Sequence, residues 1–335
     1  MTARKSKKIW KIVIITLIVL AVGVGALFAS YGIIYSSARK EHMPVQRGES
    51  AASEKIHFLQ TGSSDAILLE SDGKFALVDA GEDSDNPRGF ESLELDGYED
   101  KVVEYLKKVA ADENGVVTLE FVVGTHAHSD HLGGFDTVIS NPDIIIKEAY
   151  LKPYDENRIA ENEVEEWDNL EVYTEMLEAL NERGIPVITE LEGRKLSLGS
   201  FEIMIYNGAV TDFGERVGEN DNSLALLVTD GRYKAMLMGD VNINHDVEKN
   251  IGKAVGKIDL LKVGHHGYGW STGTSFLMST KPEIAIFTNE QKWVSFPVKF
   301  RLAMTTHTAM YSTGEFGGII AAFEEDGIKL ISDIH

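Results

Sequence analysis

Apolar residues in this chain gather in short runs broken by Gly, Pro, Asn, Asp and Ser, and spacing sorts the runs into strands and helices. Residues 55–59, 66–70 and 75–79 are β-branched or apolar and are separated by turn residues, which predicts three antiparallel strands. Residues 82–98 are acidic, contain Pro and Gly, and read as a loop. Residues 99–111 place Val102, Val103, Leu106 and Val109 at helical spacing. The run 119–124 reads as a buried strand, and a polar stretch, 125–134, follows it. A short helix is expected at 135–140 and strand structure at 144–146 and 149–151. One acidic helix is expected over 161–183, with Val164, Trp167, Leu170, Tyr173, Met176, Leu177 and Leu180 on one side, the spacing of core packing. Strands return at 187–191, 196–198, 201–206, 223–229 and 233–238, the last two joined by the hairpin turn Asp230-Gly231. A helix (242–255), a strand (258–263), a helix (272–279), a strand (283–288), a helix (298–305) and closing strands at 317–323 and 328–331 complete the pattern. Strands and helices alternate twice in the same rhythm, which suggests two pseudo-equivalent halves with sheets inside and helices outside.

The first forty residues differ in kind. Arg4, Lys5, Lys7 and Lys8 form a basic head, and no charged residue occurs from Ile12 to Ala38. About 20 apolar residues cross a bilayer, and Trp10, Tyr31 and Tyr35 suit the interfacial belts at either end. The run is long for a cleaved signal peptide and no A-x-A site ends it, so an uncleaved anchor is expected, with the basic head cytoplasmic and the rest outside the cell. Residues 1–40 form the head and anchor, 41–54 a polar tether, and 55–335 one catalytic domain.

Charge sharpens this picture. Seven of the 32 Lys and Arg lie in those forty residues, which hold no acid; the remaining 25 face all 53 Asp and Glu, a formal balance of −28. Such a body repels a nucleic-acid backbone unless a local basic patch intervenes. There is no cysteine, so disulfides and thiolate metal sites are excluded, and a metal must be held by His, Asp, Glu, Asn or water.

The candidate chemistry lies in Thr125-His126-Ala127-His128-Ser129-Asp130-His131-Leu132-Gly133-Gly134. Three of the chain's 10 histidines fall within six positions, just past a strand. His126 and His128 are two apart and, in an extended loop, point the same way toward one metal. Asp130 and His131 follow a turn and face a second. Imidazole and carboxylate suit zinc, manganese or iron. Other chemical residues also fall at strand ends: Asp79, Asp240 and the pair His265-His266. His57, alone on a strand, reads as a packed core residue.

The H-x-H-x-D-H motif at His126, His128, Asp130 and His131, with Asp79, Asp240 (in Leu237-Met238-Gly239-Asp240) and His265-His266, resembles the metallo-β-lactamase superfamily over about residues 55–331. Gln60-Thr61-Gly62-Ser63-Ser64-Asp65-Ala66-Ile67-Leu68, Asn222-Ser223-Leu224 and Leu261-Lys262-Val263-Gly264-His265-His266-Gly267 resemble the hydrolase domain of bacterial DNA-uptake (competence) channel proteins, and the cell-wall phosphorylcholine esterases look like relatives. The resemblance implies a four-layer αββα sandwich of the α/β class. It implies two divalent ions, zinc first and manganese second. His126 and His128 would hold the first ion; Asp130, His131 and one of His265 or His266 the second; Asp240 would bridge them, and Asp79 would orient the loop. The resemblance further implies that Asp130 and Asp240 would carry the catalytic roles, with a water shared by the ions as the attacking group.

Several positions depart from the pattern. No His lies between His131 and His245, so the side-chain oxygen of Asn222 or water is the expected substitute at the first ion. Tyr268-Gly269-Trp270-Ser271 follows the His pair where a Ser is usual, and Phe296-Pro297 stands for a late His-Pro. Tyr268, Trp270 and Trp293 would box a cationic or sugar-like group, or simply pack. The resulting expectation is an anchored extracellular phosphodiesterase acting on cell-wall or phosphocholine-type esters. The alternatives are an extracellular nuclease acting on DNA and a metal-binding surface module without turnover.

Overall fold

The computed structural model describes residues 2–46, 48, 50–84, 96–210 and 212–332. Helix α1 (Thr2–Glu41) leads to β1 (Val45–Gln46), then β2 (Glu54–Phe58), β3 (Ala66–Ser71) and β4 (Lys74–Ala80). There follow α2 (Glu99–Ala110), β5 (Val117–Gly124), α3 (Ser129–Leu132), α4 (Phe135–Ser140), β6 (Ile144–Ile146), β7 (Ala149–Leu151), α5 (Glu161–Glu166), α6 (Asn169–Glu182) and β8 (Val187–Ile188). The second part runs β9 (Lys195–Leu198), β10 (Phe201–Tyr206), β11 (Ala225–Thr229), β12 (Lys234–Leu237), α7 (Val247–Val255), β13 (Leu260–Lys262), α8 (Thr274–Thr280) and β14 (Ile284–Phe287). It closes with α9 (Phe296–Arg301), β15 (Ala309–Ser312), α10 (Thr313–Phe316), β16 (Ile319–Glu324) and β17 (Gly327–Ser332).

Among the described residues the strands form two sheets, one ordered β1-β17-β16-β2-β3-β4-β5-β7-β8 with β6 also on β5, the other β15-β14-β13-β12-β11-β10-β9. They stack face to face over Ile56, Val78, Phe121, Phe201, Leu226 and Tyr311, among others. The outer face of the first sheet is covered by α2, α4 and α6, and that of the second by α7, α8 and α9. Alternation along a strand explains the layering: in β13, Leu260 enters the core between the sheets while Leu261 packs under the outer helices. Strands buried on both faces read as continuous apolar runs, which is why they stood out in the sequence. The fold is the expected four-layer αββα sandwich.

Several local expectations are corrected. The helix expected over 161–183 is two, because Trp167 adopts extended backbone between α5 and α6. The helix expected from 242 begins at Val247, because His245 and Asp246 are left-handed. The closing hairpin β16–β17 does not extend the second sheet but crosses to the first, pairing with β2, so the two halves are not sequential. Strand β15 went unread. In the stretch expected to be a tether, Val45 and Gln46 pair in parallel with Ile331 and Ser332. Of the acidic loop expected at 82–98, residues 85–95 lie outside the described ones. Among the described residues one helical segment, Trp10–Glu41, is long and apolar enough to cross a membrane.

Strands β4 and β5 are parallel neighbours, as are β12, β13 and β14. Open α/β sheets present ligand sites beyond the carboxyl ends of such strands, and here the ends from both sheets meet.

Candidate metal centre

Each candidate side chain follows a strand end. Asp79 ends β4 in left-handed backbone, the His126 loop follows β5, Asp240 follows β12, and His265 and His266, both left-handed, follow β13. The glycines of the motif are steric requirements: a Cβ on Gly134 would lie 2.4 Å from the Ala80 carbonyl oxygen. The loop is thereby pressed onto the end of β4.

His126 Nε2 and His128 Nδ1 lie 3.0 Å apart, and His131 Nε2 and His266 Nε2 lie 3.1 Å apart. Asp240 stands between, Oδ1 3.2 Å from His131 Nε2 and Oδ2 3.2 Å from His266 Nε2. Asp130 Oδ2 is 3.1 Å from His266 Nε2. The far side of each ring is committed. His131 Nδ1 donates to Asp79 at 2.7 Å, and His128 Nε2 donates to Glu163 at 2.9 Å. His126 Nδ1 meets the Thr125 hydroxyl at 3.1 Å, which itself donates to Asp79 at 2.8 Å. His266 Nδ1 meets the Thr288 hydroxyl at 3.1 Å, which donates to Asp65 at 2.5 Å. The two threonine relays thus serve opposite halves of the fold in the same way. With the outer nitrogens donating, the inner ones carry lone pairs. At about 3 Å two facing lone pairs repel, and each pair is relieved either by a proton shared as an N–H···N hydrogen bond or by a cation held between the rings.

Electrostatics agree. Asp65, Asp79, Asp130 and Asp240 converge here, and the described neighbouring lysine is Lys262, wholly buried, against Asp65 and 3.6 Å from Asp240. Burial alone would lower the His131 pKa, but Asp240, Asp130 and Asp79 outweigh it and raise it to about 10. His266 rises well above its usual value against the same burial penalty, through Asp240 and Asp65. His126 falls well below, through burial and its neighbouring imidazoles. Asp240, although buried, is held well below the carboxylate range by His266 and His131. The carboxylates therefore favour positive charge in the centre, which protonated imidazoles or bound divalent cations would supply. Asp65, His131, Asp240 and His266 form a buried group that could hold a metal. Within it, Asp65 lies behind the rings, on the His266 Nδ1 side, while the inner nitrogens converge on Asp130 and Asp240.

His126, His128, Asp130, His131, Asp240 and His266 are brought together as expected. His265 is at the lip, Nε2 4.0 Å from Asp240. Asn222 does not line the cleft: its amide nitrogen donates to Glu219 at 2.9 Å, and Glu219 in turn accepts from the Ala127 N–H. It braces the loop through Glu219, and Asn220 is the residue that reaches the cleft, 3.4 Å from His265. The cleft is walled by His128, Asp130, Glu163, Trp167, His265 and Tyr268. Glu82 also lines it, pushed up to about 9 by burial and the Asp130 charge. Trp270 and Trp293 are 73% and 60% exposed and line no part of this cleft, so they form no box with Tyr268 there.

Asp65 and Glu163 were missed, and Lys262, read as a partly buried strand residue, was given no role at the site. A lone Lys in the apolar run Leu260-Leu261-Lys262-Val263 was a legible signal, because buried lysine requires a partner. Glu163 carried none, being one acid among many on an acidic stretch.

Two stacked sheets with a His/Asp cluster at their joined strand ends define a metallo-hydrolase class of fold. The chain belongs to the metallo-β-lactamase superfamily, whose family model matches residues 59–287. It is similar to Recombination protein 2 of Haemophilus influenzae, 26% identical over 82% of this chain and 30% of that protein. It is similar to ComE operon protein 3 of Bacillus subtilis, 25% identical over 51% of this chain and 20% of that protein. The chain therefore spans a third or less of either relative. Among solved structures it is similar to Igni18, a metallo hydrolase of Ignicoccus hospitalis, at 13% identity over 81% of this chain and 99% of that one, with a TM-score of 0.46.

Proposed function

We propose that the chain is a membrane-anchored phosphodiesterase whose catalytic domain faces the cell exterior, acting on cell-wall-linked or phosphocholine-type esters. The observation that carries it is the set of inner nitrogens, His131 Nε2 with His266 Nε2 closed on Asp240, and His126 Nε2 with His128 Nδ1 beside them. Two divalent ions would fit this donor set: His126 and His128 would hold one, Asp130, His131 and His266 the other, with Asp240 within reach of the second group. The nitrogen-rich set favours zinc over manganese. Such ions supply Lewis acidity and an activated water. The chain's own contribution is orientation. Asp79 and Glu163 fix the tautomers of His131 and His128, and Lys262 holds Asp65 ionised beneath them and lies 3.6 Å from Asp240. Asp130, partly open to the cleft, is the carboxylate that faces substrate.

The test is turnover of bis(p-nitrophenyl) phosphate and p-nitrophenyl phosphorylcholine by the purified full chain, with metal content measured. Hydrolysis lost on chelation and in Asp240→Ala is expected; two bound metals with no phosphodiester turnover would overturn the reading. Likeness to a protein named for recombination supports a second reading, a nuclease. The acidic body weighs against it. Cleavage of single-stranded DNA, abolished by Asp240→Ala, would promote it over the first.

A further inference from the structure

We propose that the segment around Trp293 and Phe296 is seated in the lipid surface of the bilayer crossed by α1, so that the metal cleft is held at the membrane rather than lifted away from it. This rests on the reading of α1 as an anchor, not on the catalytic reading. A hydrocarbon core of about 30 Å takes about 20 helical residues; counted from Ile12, it ends near Tyr31. From that level onward the helix lies on the domain rather than leaving it. Tyr31, Ile34, Tyr35 and Ala38 are half-buried at helical spacing against the domain's apolar clusters. Polar contacts lock the same stretch: Gln291 donates to the Tyr35 hydroxyl at 3.0 Å, the Tyr311 hydroxyl donates to the Arg39 carbonyl at 2.6 Å, and Arg39 pairs with Glu315 at 2.6 Å. About two and a half turns of fixed helix set the height of the domain.

That height puts aromatic side chains at the boundary. Phe296 stacks on Phe28 at 5.5 Å and meets Tyr31 edge-on at 5.3 Å. Phe28 is three residues below Tyr31, about 4.5 Å deeper along the helix, so Phe296 lies level with the end of the hydrocarbon. Phe296 remains 42% exposed and Trp293 60% exposed. Lys292 lies beside them, its ammonium 5.3 Å from the Trp293 ring centroid, and Lys299, half-buried, donates to the Gln291 carbonyl at 3.4 Å. Exposed aromatics beside a lysine suit an interface where rings enter the headgroup layer and the ammonium group reaches lipid phosphates. They stand out on a domain with a balance of −28. The same segment backs the metal centre: Ser295 N–H donates to the Gly267 carbonyl at 2.9 Å, one residue from His266.

The test uses single-tryptophan versions of the full chain, the other tryptophans replaced by Phe, in nanodiscs of phosphatidylcholine and phosphatidylglycerol with lipids brominated near the headgroup end of the chains. Trp293 and Trp10 fluorescence should be quenched, and Trp167, on the cleft wall, should not. Phe296→Glu in the Trp293 version should remove most of the quenching with metal content unchanged. Trp10 quenched with Trp293 unquenched would overturn the proposal while leaving the anchor intact. An unquenched Trp10 would remove the anchor and the proposal with it. Equal quenching of Trp167 and Trp293 would also overturn it, since the domain would then have no fixed face toward lipid.

Discussion

Glu163 shows how a single carboxylate works at one remove from the chemistry. By accepting from His128 Nε2 it leaves Nδ1 as the inward donor. Glu163→Gln keeps the volume but drops the charge, and the expected effect is about tenfold weaker binding of one metal equivalent, read by chelator competition, with the other equivalent unchanged. Lys262 works from beneath. Lys262→Met strands Asp65 and Asp240 in a buried site, and one broken buried pair costs about 3–5 kcal/mol. Urea unfolding of the metal-free protein should register that loss, and excess zinc should offset part of it, because an ion that binds only the folded state stabilises it. The motif histidines and aspartates were legible in the residue order because their spacing is local. Glu163, Asp65 and Asn220 were not, because their roles depend on which distant loops meet.

Elements place these residues by backbone means. Gly134 lets the loop after α3 touch the end of β4, so Gly134→Ala should lower thermal stability and metal occupancy together, checked by calorimetry and elemental analysis. Glu248 on α7 performs a similar service away from the centre, accepting from the N–H groups of Thr272 and Gly273. Burial pushes it up to about 7. Since its folded value exceeds the unfolded one, its contribution is full below about pH 4.5 and is lost as pH rises toward 7. Wild type should therefore lose about 1.4 kcal/mol per pH unit relative to Glu248→Gln across that window, measured by urea unfolding at several pH values. Helical spacing across 161–183 concealed the break at Trp167, because apolar periodicity continues through a kink that tertiary contacts impose.

At the scale of the whole molecule, α1 is both candidate membrane span and a packed element of the domain. Removing residues 2–41 uncovers Phe296, Phe300 and Tyr311. The expected result is a drop in Tm on the order of 5 °C and self-association, seen by scanning calorimetry and light scattering. Unchanged stability on truncation would mean that the helix and domain do not hold each other.

Layered architecture, the strand ends that bear chemistry and the long apolar helix could be read in the residue order, because each is written in local periodicity or in a motif within a few positions. The choice of His266 over His265 for the centre, the removal of Asn222 to a bracing role, the crossing of β16–β17 to the first sheet and the seating of α1 on the domain could not. Each depends on contacts between residues tens to hundreds of positions apart, and those are set by how two sheets close on one another rather than by any pattern along the chain.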